Sequence, residues 1–209
     1  MVTRSLADVA RANVLFGGIS SALDELKQGL KEVPKKATLL DVGTGLGDIP
    51  SRARKEALRA GVELTTFGLD AAIELASASR PSVDFSVCAN ALRLPFADNS
   101  IDIVMCSQVL HHFAASEAPA MLREMDRVAR VRVIVSDIHR SWIAAVGLWL
   151  ASFPLGFHAV SRHDGVVSVL RGFTREELTD TVKDAIARVP VVHQRRGFRI
   201  TASWTPVAR

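Results

Sequence analysis

Tyrosine is absent from the 209 residues, and cysteine occurs only twice. Without a phenol, any acid, base or cation-holding wall must come from His, Asp, Trp or Phe. Two cysteines exclude a disulfide-stapled fold. With no Cys-x-x-Cys pair and no His/Cys cluster, no metal is expected. Cys88 and Cys106 each stand in an apolar run and read as small core residues in a reducing compartment. Aromatic residues are few, with three Trp and nine Phe. The core must therefore be built from Ala, Val, Leu and Ile, which suits buried parallel strands. Long apolar runs are missing too. Residues 141–161 carry no Asp, Glu, Lys or Arg, but the strongly apolar part, Trp142 to Phe153, is only 12 residues long. A spanning helix needs ~20. No transmembrane span is expected, and a weak contact with a membrane surface stays open. The first residues show no apolar signal segment, so a cytoplasmic location is expected.

What is present describes a folded domain. Hydrophobic residues make 48% of the chain and charged ones 23%, which excludes disorder and coiled coil. The net charge of +4 is uneven. Residues 1–104 carry 12 basic and 13 acidic side chains, and residues 105–209 carry 14 and 9. The basic residues are scattered rather than clustered, so no nucleic acid is expected as a partner.

Four segments are read along one domain. Residues 1–36 are a helical cover, interrupted at Gly17-Gly18. Residues 37–140 alternate strand and helix: strands at 37–42, 62–69, 83–88, 101–106 and 131–136, and helices at 48–60, 71–78 and 117–128. Such alternation predicts a mostly parallel sheet with right-handed crossovers and helices on both faces. Residues 141–173 form an apolar insert. Residues 174–209 begin with Thr174-Arg175-Glu176-Glu177, a capping-box pattern, and close with an antiparallel hairpin around Arg196-Gly197. The sum is an α/β fold with a seven-stranded, mostly parallel sheet.

The segment Leu39-Leu40-Asp41-Val42-Gly43-Thr44-Gly45-Leu46-Gly47-Asp48 carries the most information. A strand ends in a carboxylate and runs through three alternating glycines into a helix. Such glycines permit a tight turn and close approach of backbone to ligand. The dinucleotide pattern Gly-x-Gly-x-x-Gly is not met, because the third glycine comes one position early. Asp41 would repel a pyrophosphate and suits a cationic amine. The next strand ends at Asp70, where a carboxylate can accept from both hydroxyls of a ribose. A ligand with a ribose, an ammonium group and no phosphate is S-adenosylmethionine.

These residues resemble class I S-adenosylmethionine-dependent methyltransferases. LLDVGTGLGDIP is similar to the first motif of that family, and GLDAA to the second. Ala89-Asn90-Ala91-Leu92-Arg93-Leu94-Pro95-Phe96 is similar to the third, with Asn90 where Asp is usual. Residues 96–104 and 107–113 resemble the two ends of its fourth strand. The resemblance covers 37–140. Within the family it is nearest the quinone-biosynthesis C-methyltransferases and the small bacterial methyltransferases that accompany type III polyketide synthases. It implies a Rossmann-like fold and S-adenosylmethionine as cofactor. Asp41 would take the methionine amine, with Gly43, Thr44, Gly45 and Gly47 close to the methionine part. Asp70 would take the ribose, Ala71 would flank the adenine, and Asn90 and Ala91 would hydrogen-bond it. Ser107 and Gln108 would face the sulfonium.

Methyl transfer needs in-line alignment above all, and a base only where the nucleophile is protonated. His112 and Asp137, near the fourth and fifth strand ends, and His163 in the insert are the candidate catalytic residues. His139 lies on the same edge, His111 receives no role, and Asp164-Gly165 also fits an Asx turn. The apolar insert, with Trp142, Trp149, Phe153 and Phe157, implies a small hydrophobic or aromatic acceptor, a place in secondary metabolism, and a monomer or homodimer. Arg11, Asn13 and Phe16 are candidates for closing the other side. Competing readings are a nucleic-acid or protein methyltransferase, a Rossmann oxidoreductase, and a non-catalytic S-adenosylmethionine-binding partner protein.

Overall fold

The computed structural model describes residues 18–207, apart from 155 and 157. The expectations for Arg11, Asn13, Phe16, Phe157 and the first stretch of N-terminal helix lie outside the described residues. Helix α1 (Gly18–Gly29) precedes β1 (Lys36–Val42), α2 (Asp48–Arg59), β2 (Glu63–Asp70), α3 (Ile73–Ser79), β3 (Phe85–Cys88) and β4 (Ile101–Ser107). There follow α4 (Ala118–Val128), β5 (Ala129–Ile138), α5 (Trp142–Ala151), α6 (Ala159–Arg171), α7 (Arg175–Ile186), β6 (Val191–Arg195) and β7 (Arg199–Trp204). The seven strands form one sheet in the order β3-β2-β1-β4-β5-β7-β6. Pairs within β1 to β5 are parallel, while β5–β7 and β6–β7 are antiparallel. The order reverses at β1, so the neighbouring strand ends β1, β2 and β4 open a crevice at the carboxyl edge.

Alternation along the strands sorts the core into two layers. Leu40, Val42, Val104 and Cys106 face α4 and α7 through Met121, Leu122, Leu178 and Val182. Leu39, Ile103 and Met105 face α1 and α2 through Leu26, Ala53 and Ala57. The residues between Leu39 and Cys106 on β1 and β4 are almost wholly buried on both faces, as central parallel strands require. β3 is an edge strand with Phe85 half-exposed. It also leaves Cys88 exposed, against the expectation that both cysteines are core residues. Cys106 is buried. At the start of central strand β4, Asp102 accepts from the Thr38 N–H and hydroxyl and from Arg130, tying β1, β4 and β5 together.

The capping box opens α7 as its sequence predicts. The Thr174 hydroxyl accepts from the Glu177 N–H, and the Glu177 carboxylate accepts from the Thr174 N–H. Two ties pull the closing hairpin onto the body. Trp204 Nε1 donates to Asp126 of α4 at 2.9 Å. On the other face, buried Glu25 of α1 accepts from Arg195 and from the hydroxyl of Thr201. The apolar insert is a helical hairpin, α5–α6. Gly165 lets it close, because a Cβ there would stand 3.0 Å from Leu148 Cδ2.

Candidate functional site

The crevice begins where β1 stops. The N–H groups of Gly43 and Thr44 both donate to the Leu69 carbonyl, at 2.7 and 2.9 Å, and so fold the glycine turn onto the end of β2. Gly43 has φ +76°, and a Cβ there would stand 2.4 Å from Val109 Cγ2. Only glycine meets both demands. Gly45, at φ +56°, has the opposite surroundings: a Cβ would meet nothing within 4 Å. The turn is thus packed on one side and open on the other. Asp70 holds it in place, accepting from the Gly45 N–H at 3.2 Å and the Ala72 N–H at 3.0 Å. A carboxylate has about four lone-pair sites, so Asp70 keeps capacity for a ligand's hydroxyls.

Asp41 lies behind this turn and is 2% exposed. One oxygen accepts from the Thr44 hydroxyl at 3.0 Å. The other, Oδ1, is buried with no partner among the described residues. Burial pushes its pKa up to about 7, with the Thr44 bond opposing and the charge of Asp70 adding to the rise. A buried carboxylate with an idle oxygen is costly. A cation set against Oδ1 would offset that cost.

The far wall comes from β4 and β5. Gln108, just past β4, adopts φ +58°, rare for a residue with a side chain. Its N–H donates to the Ser136 carbonyl at 2.8 Å, and its side-chain oxygen accepts from Arg199 Nη1 at 2.9 Å. Arg199 is buried, and burial lowers its pKa to about 10 against the opposing charge of Asp137. A single 3₁₀ turn, Leu110–His112, follows. His111 is buried in it, with Nδ1 2.7 Å from Asp137 Oδ1. The His111 N–H donates to the second oxygen of Asp137 at 3.2 Å, and the Ile138 N–H donates to the first at 2.7 Å. Nε2 of His111 is buried without a partner among the described residues, as is Oγ of Ser107. The His112 ring lies against that of His111, tilted by 38°, with centroids 4.1 Å apart. Partial burial, helped by His111 and Arg171 and opposed by Asp137, lowers its pKa.

Comparison with known proteins fits this geometry. Residues 40–135 match the family profile described as a methyltransferase domain. Over these residues the chain is similar to the class I methyltransferases. The cofactor of such domains is S-adenosylmethionine, and the residues present fit it: an idle buried carboxylate oxygen for the amine, an open left-handed glycine for close approach, and a second carboxylate at the next strand end. The chain is 32% identical over 114 residues to a Roseiflexus demethylmenaquinone methyltransferase. That match takes in 49% of this chain and spans 42% of the relative's length. Among solved structures, an S-adenosylmethionine-dependent methyltransferase from Aquifex aeolicus superposes with a TM-score of 0.62 at 20% identity, covering 90% of this chain and 89% of that one. Magnesium protoporphyrin IX methyltransferase from Synechocystis gives a TM-score of 0.60 at 14% identity, over 93% and 82%. These likenesses are of fold.

The chain brings most of the expected cofactor residues to one edge. Asp41, Gly43, Thr44, Gly45 and Gly47 lie in the turn at β1, Asp70 and Ala71 at the end of β2, and Asn90 and Ala91 beyond β3. Asn90 spends one lone pair on its own turn, accepting from the Leu92 N–H at 2.9 Å. Asp137 stands inside β5, not after it, because that strand runs on to Ile138. His163 and Asp164 are exposed within α6, so no Asx turn forms at Asp164-Gly165. Sequence reasoning missed His111 and Arg199. Strand alternation gave His111 no partner, because the 3₁₀ turn after β4 changes which way successive side chains point. Arg199 had a usable signal: a charged residue opening an otherwise apolar strand, Arg199–Trp204. Among the described residues no cluster of His, Cys, Asp and Glu is set to hold a metal ion. A groove of about 630 Å³ lined by Phe67, Phe85 and Phe96 shares no lining residue with the crevice.

Proposed function

We propose that this chain transfers a methyl group from S-adenosylmethionine to an oxygen or carbon of a small hydrophobic or aromatic acceptor, of the quinol or polyketide-phenol kind. The observation that carries the cofactor half is Asp41, whose idle buried oxygen calls for a cation beside a turn that only glycine can make. When bound, the cofactor supplies an electrophilic methyl on a sulfonium. Asp41 takes the ammonium group. Gly43, Thr44, Gly45 and Gly47 line the methionine part, Asp70 accepts from the ribose, Ala71 flanks the base, and Asn90 and Ala91 hydrogen-bond it. Ser107 and Gln108 form the wall nearest the reacting end, with Gln108 held by Arg199.

Of the candidate catalytic residues, Asp137 and the 111–112 turn support a proton-handling role. With Nδ1–H of His111 donating to Asp137, Nε2 presents a lone pair and can take a proton from an acceptor hydroxyl. His112, whose pKa is lowered, adds a second neutral imidazole. His163 is exposed and stands further from this role. The α5–α6 hairpin, packed against the 111–112 turn, is read as the acceptor's cover. The lipophilic side chains of the hairpin and the name of the Roseiflexus relative both support a quinone-type or similar acceptor.

Thermal unfolding with S-adenosylhomocysteine tests the cofactor half. A native-state ligand at ~100 times its Kd adds about 2.7 kcal/mol of stability. S-adenosylhomocysteine should raise Tm and NAD should not. The absence of a rise would end this reading. Transfer of labelled methyl to a dihydroxynaphthoquinol or an alkylresorcinol tests the acceptor class, and binding without any transfer would favour a non-catalytic binding protein.

A further inference from the structure

Helix α5 is apolar all the way round, with the sequence Trp142-Ile-Ala-Ala-Val-Gly-Leu-Trp-Leu-Ala151. Such helices normally lie in a core. Here only Ala145 is fully buried. Ala144, Ala145 and Leu148 face Val166 and Val169 of α6 and Ile138 of the body. The other face carries Trp142, Ile143, Val146, Trp149, Leu150 and, just beyond the helix, Phe153. These six recur at helical spacing and form one stripe, with Trp142 73% exposed. A continuous apolar strip of this size on a water-facing surface marks a docking face.

We propose that this stripe docks on the surface of an anionic lipid bilayer, with α5 lying in the plane of the interface. Three observations select lipid over protein. First, the stripe offers a partner no hydrogen-bonding side chain except two indoles, whereas protein interfaces carry roughly one hydrogen bond per 100–200 Å². Second, tryptophan stands near both ends of the stripe, at 142 and 149, the residue that favours the water–lipid boundary. Third, the charge nearest the stripe along the chain is basic, with Asp164 and Glu177 lying beyond it. Between Asp137 and Asp164 the charged residues are Arg140 and Arg162, with three histidines and no acid. Arg140 is held by Glu177. Arg162 sets its guanidinium 3.7 Å over the Phe153 ring, at the border of the stripe. Arg171 is exposed at the end of the hairpin. No helix among the described residues is long and apolar enough to cross a membrane, so α5 lies on the bilayer. A lipid-dissolved acceptor then has a short path from the bilayer to the cover of the crevice, a consequence that rests on the function proposed above.

The full chain should float with vesicles of equal parts phosphatidylglycerol and phosphatidylcholine. Binding should be weaker to phosphatidylcholine alone. Fluorescence of the exposed tryptophans should shift to the blue and be quenched by brominated lipid, while that of buried Trp204 should not. The Ile143→Asp/Leu150→Asp double variant should lose partitioning by roughly 100-fold or more, with Tm and S-adenosylhomocysteine binding unchanged, because neither side chain is in the core. Absence of wild-type binding, or equal binding by the double variant, would overturn the proposal. So would a wild-type dimer in sedimentation that the double variant turns into a monomer without any vesicle binding, since a second copy would then cover the stripe. Vesicle binding is read without cofactor or acceptor, so a failed methyl-transfer assay leaves it standing.

Discussion

Nδ1 of His111 lies 2.7 Å from Oδ1 of Asp137, and both side chains are buried at the carboxyl edge of the sheet. Asp137 accepts two further backbone N–H bonds, from His111 itself and from Ile138, so the pair has little freedom to turn. With the proton on Nδ1, Nε2 is left as the acceptor. If Nε2 takes the acceptor's proton, His111→Gln should lower turnover on a phenolic acceptor by about 100- to 10,000-fold while S-adenosylhomocysteine binding persists. Raising the pH toward the phenol pKa of about 10 should restore part of the rate, because the acceptor then ionises unaided. A merely structural histidine would give no such rescue. His112→Gln should fall far less.

Asp41 sets a conflict between stability and binding. Its folded pKa of about 7 lies above the ordinary aspartate value of 3.8, so between the two the folded state holds a proton that the unfolded chain has lost. Stability of the ligand-free protein should therefore be highest below pH 4 for this group, and fall as pH rises toward 7, by at most about 4 kcal/mol. Asp41→Asn should flatten that slope and raise Tm at pH 7.5. It should also weaken S-adenosylhomocysteine at least about tenfold, the scale of one lost charge-assisted bond. Urea melts at several pH values and calorimetric titration read the two effects separately.

The glycine turn predicts two unlike alanine substitutions. Gly43→Ala meets both a left-handed backbone and Val109 Cγ2 at 2.4 Å, and should destabilise by about 3 kcal/mol or more. Gly45→Ala meets only the backbone, and should cost about 1–2 kcal/mol. Its methyl projects into the open side, so its larger effect should be on cofactor affinity. Comparing ΔTm with ΔKd for the pair checks this.

Glu25 is a fourth measurable point. Burial pushes its carboxyl pKa up, but the bonds from Thr201, Arg195 and His193 outweigh it and hold it below the usual range. A carboxylate lowered in this way stabilises above its unfolded value of 4.5, and loses that contribution as pH falls through the lower folded value. Glu25→Ala leaves Arg195 without its partner and should destabilise by about 2–4 kcal/mol at pH 7. The loss should shrink on acidification.

Much of this was legible before any coordinates. The alternation from Ala37 to Ser136 set the strands, because parallel strands buried on both faces read as continuous apolar runs. Asp41, the three glycines and Asp70 could be placed because a strand end and a helix start bracket them. The Thr174–Glu177 box marked its helix through a pattern closed within four residues. Pairings between distant strands were not legible. Nothing local tells that Gln108 meets Arg199, or that Glu25 meets Thr201, since register across 91 and 176 residues is a product of packing. Cys88 misled because an apolar run shows that water is disfavoured, not which surface removes it.

Gln108 and Arg199 also bear on the order in which a nascent chain can mature. The glycine turn and both carboxylates that would grip the cofactor are made well before Arg199. The wall beside them is held by Arg199, which follows much later in the chain, on a strand that slots between β5 and β6. A ribosome-bound chain halted before residue 199 therefore carries the cradle but lacks the brace that holds Gln108 in its left-handed pose. Such a chain would bind loosely and turn over poorly, and competence should arrive in one step when the β6–β7 hairpin docks.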